Sequence, residues 1–424
     1  MLRCAATLAA ACRETASPMT GPQSSPQSIA TASASCTRRP GRTLSLAASL
    51  LIFAVSVPLF AASTQASWPL WESYNRLMVD QQGRVIDHSA QDHTTSEGQS
   101  YAMFFALVAN DRVRFDRILH WTETNLAEGD LTQHLPAWSW GKAPDGQWRT
   151  LDRNSASDAD LWIAYSLIEA GRLWSNPGYD RLGRALAAQV AKQEVADIPG
   201  LGATLLPGPA GFHPDPKTWI LNPSYLQPSI LARLAVVMPN SPWASILNSL
   251  GPILAQGSGA GWAMDWVQAG EGIHPTASPA QHAAGNNAAT PIGGYEAIRV
   301  YLWLGIADPG TRGVRSLLSG IPAMASYLGN HLAPPEQVDA QGKILNPDSP
   351  PGFSACVAPY LQAVGKAPQA RAQFDRLEVF QNPVSGLYGK NSDYYDQNLA
   401  LFAKGWLEGR FRFDRDGMLH AAWK

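Results

Sequence analysis

Segments with helical spacing in residues 67–424 constrain the fold more than any other feature of this sequence. In SYAMFFALVAND, apolar residues recur on one helix face: Tyr101, Phe104, Leu107 and Val108. The same helical spacing of apolar residues occurs in three further segments: DADLWIAYSLIEAGRLW, YEAIRVYLWLGI and YYDQNLALFAKGW. Alternating patterns typical of strands are short and few. We therefore predict one α-rich domain, in which about six helical hairpins of roughly 60 residues each would fit.

The composition of the chain supports a large buried core. Hydrophobic residues make up 45% and charged residues only 16% of the 424 residues. No Gly/Ser linker or charge block divides residues 67–424, and we expect the Pro/Gly-rich stretches 199–216 and 333–353 to be long loops.

The first 66 residues have the pattern of a low-complexity extension followed by a secretory signal. Basic residues precede an apolar run from about Leu44 to Phe60, and small residues follow it, so we expect cleavage between about Ser63 and Ala66. The run is long for a signal, and a retained membrane anchor is the alternative. We therefore divide the chain into residues 1–66, an N-terminal extension and signal, and residues 67–424, the functional domain of a periplasmic or secreted protein.

Charge and cysteine content exclude several classes of function. Without residues 1–66 the chain has 27 Lys and Arg against 33 Asp and Glu, so nucleic acid is an unsuitable partner. Only Cys356 lies outside that leader, so the mature chain cannot form an internal disulfide bond. The nine histidines show no paired metal-ligand spacing, and we predict neither a metal nor another cofactor.

Three acidic residues each open a segment with helical spacing. They are Glu97 in TTSEGQSYAM, Asp158 in NSASDADLW and Glu296 in GGYEAIRVYLW. A helix-capping role explains each one separately, because a carboxylate near a helix N-terminus suits the helix dipole. If the helices are parallel inner helices of an α/α barrel, however, their N-termini converge and the three carboxyl groups face one cleft.

Aromatic residues accompany these carboxyl groups. All fifteen tryptophans fall after the leader. Most should pack in the core, and we expect four or five in a cleft, where their faces could stack on sugar rings. The aromatic residues near the acidic residues or in apparent loops are Tyr101, Trp162, Tyr295, Trp138 and Trp140 in PAWSW, and Trp262 and Trp266 in GWAMDW.

Paired carboxyl groups beside a tryptophan-lined cleft favour glycoside hydrolysis. That reaction needs one protonated acid at the leaving oxygen and a second carboxylate that activates water or attacks carbon. No serine or cysteine triad has comparable support. The GxSxG motif is absent, and Cys356 lies in an apolar run that is typical of a buried thiol.

The acidic motifs, taken together, resemble those of glycoside hydrolase family 8. The resemblance covers essentially all of residues 67–424, and further segments carry it: IPGLG at 198–202, NPSYL at 222–226, PPEQVD at 334–339, GFSA at 352–355 and GRFRF at 409–413. It implies an all-α fold, a six-hairpin (α/α)6 barrel with long loops around the cleft. It also implies an inverting endo-β-1,4-glucanase that acts on cellulose, and an association with the machinery of bacterial cellulose synthesis.

The resemblance also assigns roles to residues. It implies that Glu97 is the general acid and that Asp158 is the acidic residue of the family signature, to which we assign holding and distorting the sugar. The family member that this chain most resembles has YDAIR where this chain has Tyr295-Glu296-Ala297-Ile298-Arg299. The general-base position is therefore Glu296, one methylene longer than the family aspartate, and Asp265 in AMDWV is the alternative base. The predicted substrate-binding residues are Tyr101, Trp138, Trp140, Tyr295 and Arg299.

Three other functions stay open at this point. Chitosan and xylan are alternative substrates within the family, and a strongly acidic cleft would favour polycationic chitosan. The third is a non-catalytic glucan-binding protein, in which the change to Glu296 marks lost activity. Glu97 and Asp158 argue against it, because a protein that only binds glucan has no need of them.

Overall fold

A computed structural model of the protein describes residues 67–283 and 289–424. The predicted leader and its cleavage site, in residues 1–66, lie outside the described residues. The described residues belong to a single packed unit. Within them, no helix is both long enough and apolar enough to cross a membrane.

Helices dominate the structure. They are α1 (Pro69–Met78), α2 (Ser96–Val108), α3 (Arg112–Leu126), α4 (Ser157–Leu173), α5 (Pro177–Gln193), α6 (Pro228–Val237), α7 (Trp243–Gly257), α8 (Pro279–Ala283), α9 (Ile298–Ile306), α10 (Val314–Gly320), α11 (Ala323–Tyr327), α12 (Pro351–Ala363), α13 (Ala367–Val379) and α14 (Tyr394–Leu407). Two 3-10 helices span His88–Ala90 and Pro223–Tyr225.

Six helices form a closed inner ring. Neighbours pack in the order α2, α4, α6, α9, α12 and α14, and α14 packs against α2 to close the ring. Each has an outer partner: α3, α5, α7, α10 and α13 follow the first five, and α1 packs on α14. The predicted six-hairpin (α/α)6 barrel is therefore confirmed, with the sixth hairpin made from the two ends of the described domain.

The difference between inner and outer helices follows from their sequences. Every residue of α2 except Glu97 is buried, because an inner helix meets the barrel centre on one side and outer helices on the other. In α3 only one stripe is buried, and that stripe includes Phe115, Ile118 and Trp121. Close packing also needs small residues: a Cβ atom added to Gly305 in α9 would lie 2.3 Å from the backbone nitrogen of Tyr360 in α12.

Aromatic rings fill the barrel centre. Trp162 from α4 lies 4.9 Å from both Phe104 and Phe402, measured between ring centroids, and 5.4 Å from Trp303. Tyr101 packs edge-on against Phe402 at 5.1 Å. Because these side chains come from α2, α4, α9 and α14, they join the inner ring across its axis, and the barrel is a packed core rather than a pore.

Short antiparallel strands border the helix ends. They are β1 (Thr94–Thr95), β2 (Ala137–Lys142), β3 (Trp148–Ser155), β4 (Val195–Ile198), β5 (Gly202–Leu205), β6 (Trp219–Leu221), β7 (Trp266–Ala269), β8 (His274–Thr276), β9 (Ile292–Gly293), β10 (Gln337–Asp339), β11 (Ile344–Asn346), β12 (Phe411–Phe413) and β13 (Leu419–Ala421). The sheets are β1-β2-β3, β4-β5, β6-β7-β8, β11-β10-β9 and β12-β13.

Two sequence-based predictions about loops were wrong. PAWSW lies in strand β2, and its register pairs Thr94 with Trp140 and Trp140 with Thr150. The stretches 199–216 and 333–353 contain β5, β10, β11 and the first three residues of α12 in addition to loop residues. Strands of three to six residues give too few alternations for the sequence pattern to reveal them.

The β12-β13 hairpin packs on the later turns of α4, away from Asp158. The Tyr165 hydroxyl donates to the Gly417 carbonyl (2.8 Å), and buried Glu169 accepts the Leu419 N–H (3.2 Å). Glu169 also forms ion pairs with Arg172 and Arg233. The hairpin therefore covers one end of the barrel, and the open end is the one at which α4 begins.

Candidate active site

The side chains of the candidate site are held at the open end of the barrel, just after short strands. β1 leads to Glu97, β3 leads to Asp158, and β9 leads to Glu296. Glu97 is the second residue of α2, and Thr95 rather than Glu97 caps that helix, accepting the Gly98 N–H at 3.1 Å. Glu296 lies in a turn two residues before α9 and not within the helix.

The structure brings all three carboxyl groups to one guanidinium, that of Arg299. Its Nη1 donates to Glu97 Oε2 and to Asp158 Oδ2, the latter at 3.0 Å. Its Nη2 donates to Glu296 Oε2 and to the Ser224 hydroxyl, the latter at 3.1 Å. Arg299 is only 2% exposed, so this arrangement is a buried cation surrounded by acceptors.

Exposure separates the carboxyl groups into two levels. The side chains of Glu97 and Glu296 are 20% and 16% exposed, whereas that of Asp158 is 6% exposed. Glu97 and Glu296 therefore face the opening from which a substrate would arrive. Asp158 lies deeper, where Oδ1 also accepts the Ala159 N–H at 2.8 Å.

The surroundings shift the pKa values of Glu97 and Glu296 in opposite directions. Burial raises the pKa of Glu97 to about 7, against the attraction of Arg299, and nearby Asp158 and Glu296 add to the rise. Burial also acts on Glu296, but the charge of Arg299 and hydrogen bonds from Arg299 and Asn222 outweigh it and lower the pKa of Glu296 to about 2. One group can therefore hold a proton at neutral pH while the other stays ionised.

Tyr394 contacts the oxygen of Glu97 that Arg299 leaves free, Oε1. The Tyr394 hydroxyl donates to Glu97 Oε1 at 3.2 Å and lies 3.2 Å from the Thr95 hydroxyl. A Cβ atom on Gly98 would lie 2.7 Å from the Tyr394 hydroxyl oxygen, so the glycine of SEGQ leaves room for this contact.

Asn222 and Asp265 hold Glu296 and its turn. The Asn222 side-chain amide donates to Glu296 Oε2 at 3.0 Å. Asp265 Oδ1 accepts the backbone N–H groups of Gly294 (2.7 Å) and Ala297 (2.8 Å), which flank Glu296. Burial raises the pKa of Asp265 to about 7. This geometry favours a positioning role for Asp265, the alternative base, and leaves Glu296 as the better candidate.

Sequence reasoning missed part of this arrangement. Asn222 and Ser224 lie in NPSYL, a segment that the sequence analysis used only as a family signature. Tyr394 opens YYDQNLALFAKGW, which indicated only a helix. No local pattern could reveal their contacts, because Tyr394 and Asn222 act on residues 297 and 74 positions away.

Two predicted substrate-binding residues lie in unexpected surroundings. Tyr101 is fully buried and its hydroxyl lies 3.1 Å from Arg299 Nη1, so it is located beneath the carboxyl groups. This burial argues against the predicted sugar contact, and a role in supporting Arg299 fits better. Tyr295 is half-buried against Phe353 and Tyr395, and its carbonyl accepts the Tyr395 hydroxyl at 2.5 Å.

The tryptophans of β2 stand beside the site, because β2 pairs with β1 just before Glu97. Trp138 and Trp140 are both half-buried, and Trp138 packs edge-on against His93. Trp140 stacks on Trp148 at 5.3 Å, and the Arg84 guanidinium lies 4.5 Å and 4.6 Å from the two rings. Trp148, which the sequence analysis did not single out, is 44% exposed.

Other aromatic residues near the acidic motifs belong to the core. Trp162, Trp262 and Trp266 are at most 6% exposed. Cys356 is a buried free thiol, as its apolar run predicted. Within residues 67–283 and 289–424, no group of three or more histidine, cysteine or acidic side chains could hold a metal ion. Where three carboxylates meet, the central cation is the Arg299 guanidinium.

Comparison with known proteins places this geometry in a family. Residues 48–409 match the family model for glycosyl hydrolases family 8. The chain is 43% identical to an endoglucanase from Xanthomonas axonopodis pv. citri, over 86% of this chain and 92% of that protein. It is 40% identical to an endoglucanase from Escherichia coli K12, over 86% and 94% of the two chains. The crystal structure of an endo-1,4-D-glucanase from Vibrio fischeri superposes with a TM-score of 0.73 at 37% identity, over 84% of this chain and 99% of that one.

Proposed function

The chain belongs to glycosyl hydrolases family 8, and we propose that it is an endo-β-1,4-glucanase that hydrolyses internal bonds of cellulose with inversion. The observation that carries the proposal is the pair Glu97 and Glu296. Both are partly exposed, both contact Arg299, and their pKa values are shifted apart. Such a pair supplies an acid and a base at the same pH.

The roles follow from protonation and position. Glu97 gives its proton to the glycosidic oxygen as the bond to the anomeric carbon breaks. Glu296, ionised and held by Asn222 and Arg299, takes a proton from the water that attacks the opposite face of the same carbon. Asp158 lies deeper and is fixed by Arg299, which suits it to hold and distort the sugar at the cleavage point.

Location and partners form a second part of the proposal. The basic residues, apolar run and small residues of the leader support export to the periplasm or medium, with contact to the membrane only if the signal stays uncleaved. We infer an association with the cellulose synthase machinery from the family resemblance. N-terminal sequencing of the protein from a periplasmic extract tests export. Co-purification with the synthase tests the association.

A substrate panel tests the activity. Reducing ends should appear from carboxymethylcellulose much faster than from chitosan or xylan, and medium-length oligosaccharides should appear first, because an endo enzyme cuts internal bonds. Faster release from chitosan or xylan would assign the alternative substrate. No release from any polymer, together with retained binding of cello-oligosaccharides, would indicate a non-catalytic glucan-binding protein.

A further inference from the structure

A second pair of carboxyl groups, Asp160 and Glu194, lies behind the active site. Asp160 is in the first turn of α4, two residues after Asp158, and Glu194 immediately follows α5. Both residues are 0% exposed. Neither takes part in the reaction described above, since both are closed off from the cleft.

The hydrogen bonds around this pair are incomplete if both groups are ionised. The Ser155 hydroxyl donates its single proton to Glu194 Oε1 at 2.6 Å. Ser155 also lies near Asp160, but its one proton serves a single acceptor at a time, and within the described residues no other N–H or hydroxyl group donates to Asp160 or to Glu194 Oε2. No lysine, arginine or histidine of the described chain acts on either group, and the charged neighbour that acts on both is Asp158. Two buried carboxylates with a single hydroxyl donor between them and no cation would be very costly.

A shared proton resolves this arrangement. A protonated carboxyl group has one O–H donor, so either residue can then donate to the other. The two side chains are within hydrogen-bonding reach of each other, and Asp158 is the charged neighbour that acts on both. We propose that Asp160 and Glu194 are held together by a shared proton and form a positioning pair that fixes Asp158 against Arg299.

The surrounding backbone shows how the pair could position Asp158. The Glu194 carbonyl accepts the Leu206 N–H (2.7 Å), and the Leu206 carbonyl accepts the Ser157 hydroxyl (2.7 Å). Ser155 ends β3 and Ser157 begins α4. The pair therefore joins the end of β3, the start of α4, the end of α5 and the segment after β5 at one buried point directly behind Asp158.

The pH range in which the proton is held is consistent with this role. Burial raises the pKa of Glu194 to about 8 and the pKa of Asp160 well above its usual value, and each group is raised further by Asp158. In the unfolded chain the same groups release their protons near pH 4, as ordinary carboxyl groups do. The stability that the pair contributes is therefore complete below about pH 4 and is lost as the pH rises towards 8.

Denaturant unfolding of wild type and Glu194→Gln between pH 5 and pH 7 tests the shared proton without any measurement of activity. For each proton that the folded state holds and the unfolded state does not, the equilibrium constant for unfolding rises tenfold when the pH increases by one unit. Glu97 and Asp265 also have raised pKa values, but they are present in both proteins, so their contributions to the unfolding constants cancel in the ratio. In Glu194→Gln the amide N–H group can donate to an ionised Asp160, so the variant needs no proton in the pair, and we expect the ratio of wild-type to variant unfolding constants to rise about a hundredfold over these two pH units. A constant ratio would overturn the proposal.

The amide variants also test the geometry. In Glu194→Gln or Asp160→Asn an N–H group replaces the O–H donor, so both variants should fold. If neither variant folds at neutral pH, the proposal is wrong, because replacing the O–H donor of the pair by an N–H donor should be sufficient for folding. Glu194→Ala should lose at least tenfold in kcat on carboxymethylcellulose, with Glu194→Gln restoring most of it.

Glu169→Gln is the matched control for the kcat measurement, because Glu169 is equally buried on α4 but lies at its other end. It should lower stability and leave the kcat of the folded protein unchanged. Equal kcat in Glu194→Ala and wild type would refute the positioning role. The kcat comparison rests on the proposed glucanase function, whereas the unfolding comparison does not. A protein without glucanase activity could therefore still confirm the shared proton.

Discussion

Glu97 and Glu296 contact the same guanidinium but differ in protonation, because their other partners differ. Glu296 receives a second strong donor from Asn222, whereas Glu97 has the weaker contact with the Tyr394 hydroxyl and also lies near Asp158. The cation therefore keeps Glu296 ionised, while burial and like charges keep a proton on Glu97. Three predictions at the residue scale follow from this difference.

Glu97→Gln keeps the size of the side chain and removes its transferable proton. General acid catalysis is typically worth about 10²–10⁴-fold, and we expect the rate of cellulose hydrolysis to fall by at least this factor. The melting temperature should change little, because Thr95 rather than Glu97 caps α2. Wild-type activity in this variant would show that Glu97 is not the acid.

The pH profile of kcat/KM should fall on the alkaline side near pH 7. Glu97 must be protonated to act, and burial raises its pKa to about 7. Glu296 must be ionised, and its pKa of about 2 leaves the acidic side flat down to low pH. A profile on a soluble cello-oligosaccharide, with stability followed in parallel, checks both limbs. A profile that stays flat through pH 9 would contradict the assignment of Glu97.

Glu296→Asp and Glu296→Ala separate the base from its surroundings. Aspartate should keep substantial activity, since it is the residue that the family resemblance indicates for this position. Alanine should abolish hydrolysis and retain cello-oligosaccharide binding. Rate measurements with calorimetric binding distinguish these outcomes. If Glu296→Ala stays active, the base lies elsewhere, and Asp265 is the next residue to test.

At the scale of elements, the β2-β3 hairpin connects the core to the surface beside the site. Its first strand pairs with β1, directly before the helix that carries Glu97. Register and alternation place Ser139 inward and leave Trp138 and Trp140 half-buried. The prediction that PAWSW lies near the site depended on its motif, whereas its strand conformation depends on pairing with the neighbouring β3 and with the distant β1.

Trp138, Trp140 and Trp148 should affect binding more than folding. Stacking of a sugar on an indole face should be worth about 1–2 kcal/mol, by analogy with the stacking of bases, and each alanine variant is expected to lose affinity by this amount. Trp162→Ala is the control, because a buried tryptophan costs about 3–5 kcal/mol of stability when truncated. Unchanged cello-oligosaccharide affinity in all three variants would place the sugar-binding surface elsewhere.

At the scale of the whole molecule, the sequence predicted the architecture better than the site. Apolar residues at helical spacing and the family motifs were sufficient for six hairpins, because inner helices must be buried on every side. The pairing of α1 with α14 was not predictable, since it joins the two ends of the described domain. The contacts of Tyr394, Asn222 and Asp265 were equally hidden, because each depends on how distant segments meet at the open end.

The barrel itself should determine the stereochemistry of the reaction. In the inner ring, α2 and α9 are three positions apart, so Glu97 and Glu296 approach the cleft from opposite sides. They contact different nitrogens of Arg299: Glu97 accepts from Nη1 and Glu296 accepts from Nη2. We expect their carboxyl groups to be roughly 6.5–9.5 Å apart, which leaves room for a water molecule, against about 5–5.5 Å in a retaining pair.

Proton NMR of cellopentaose hydrolysis, recorded before mutarotation, checks this last prediction. Water that attacks from the side opposite the leaving oxygen converts a β-linkage into an α-anomer, so the α-anomer should appear first. Glu97→Gln under the same conditions is the control for background hydrolysis. A β-anomeric first product would require a covalent intermediate on one carboxyl group. That result would refute the inverting mechanism and leave the (α/α)6 barrel unaffected, because the fold depends on the apolar helix faces and not on the carboxyl spacing.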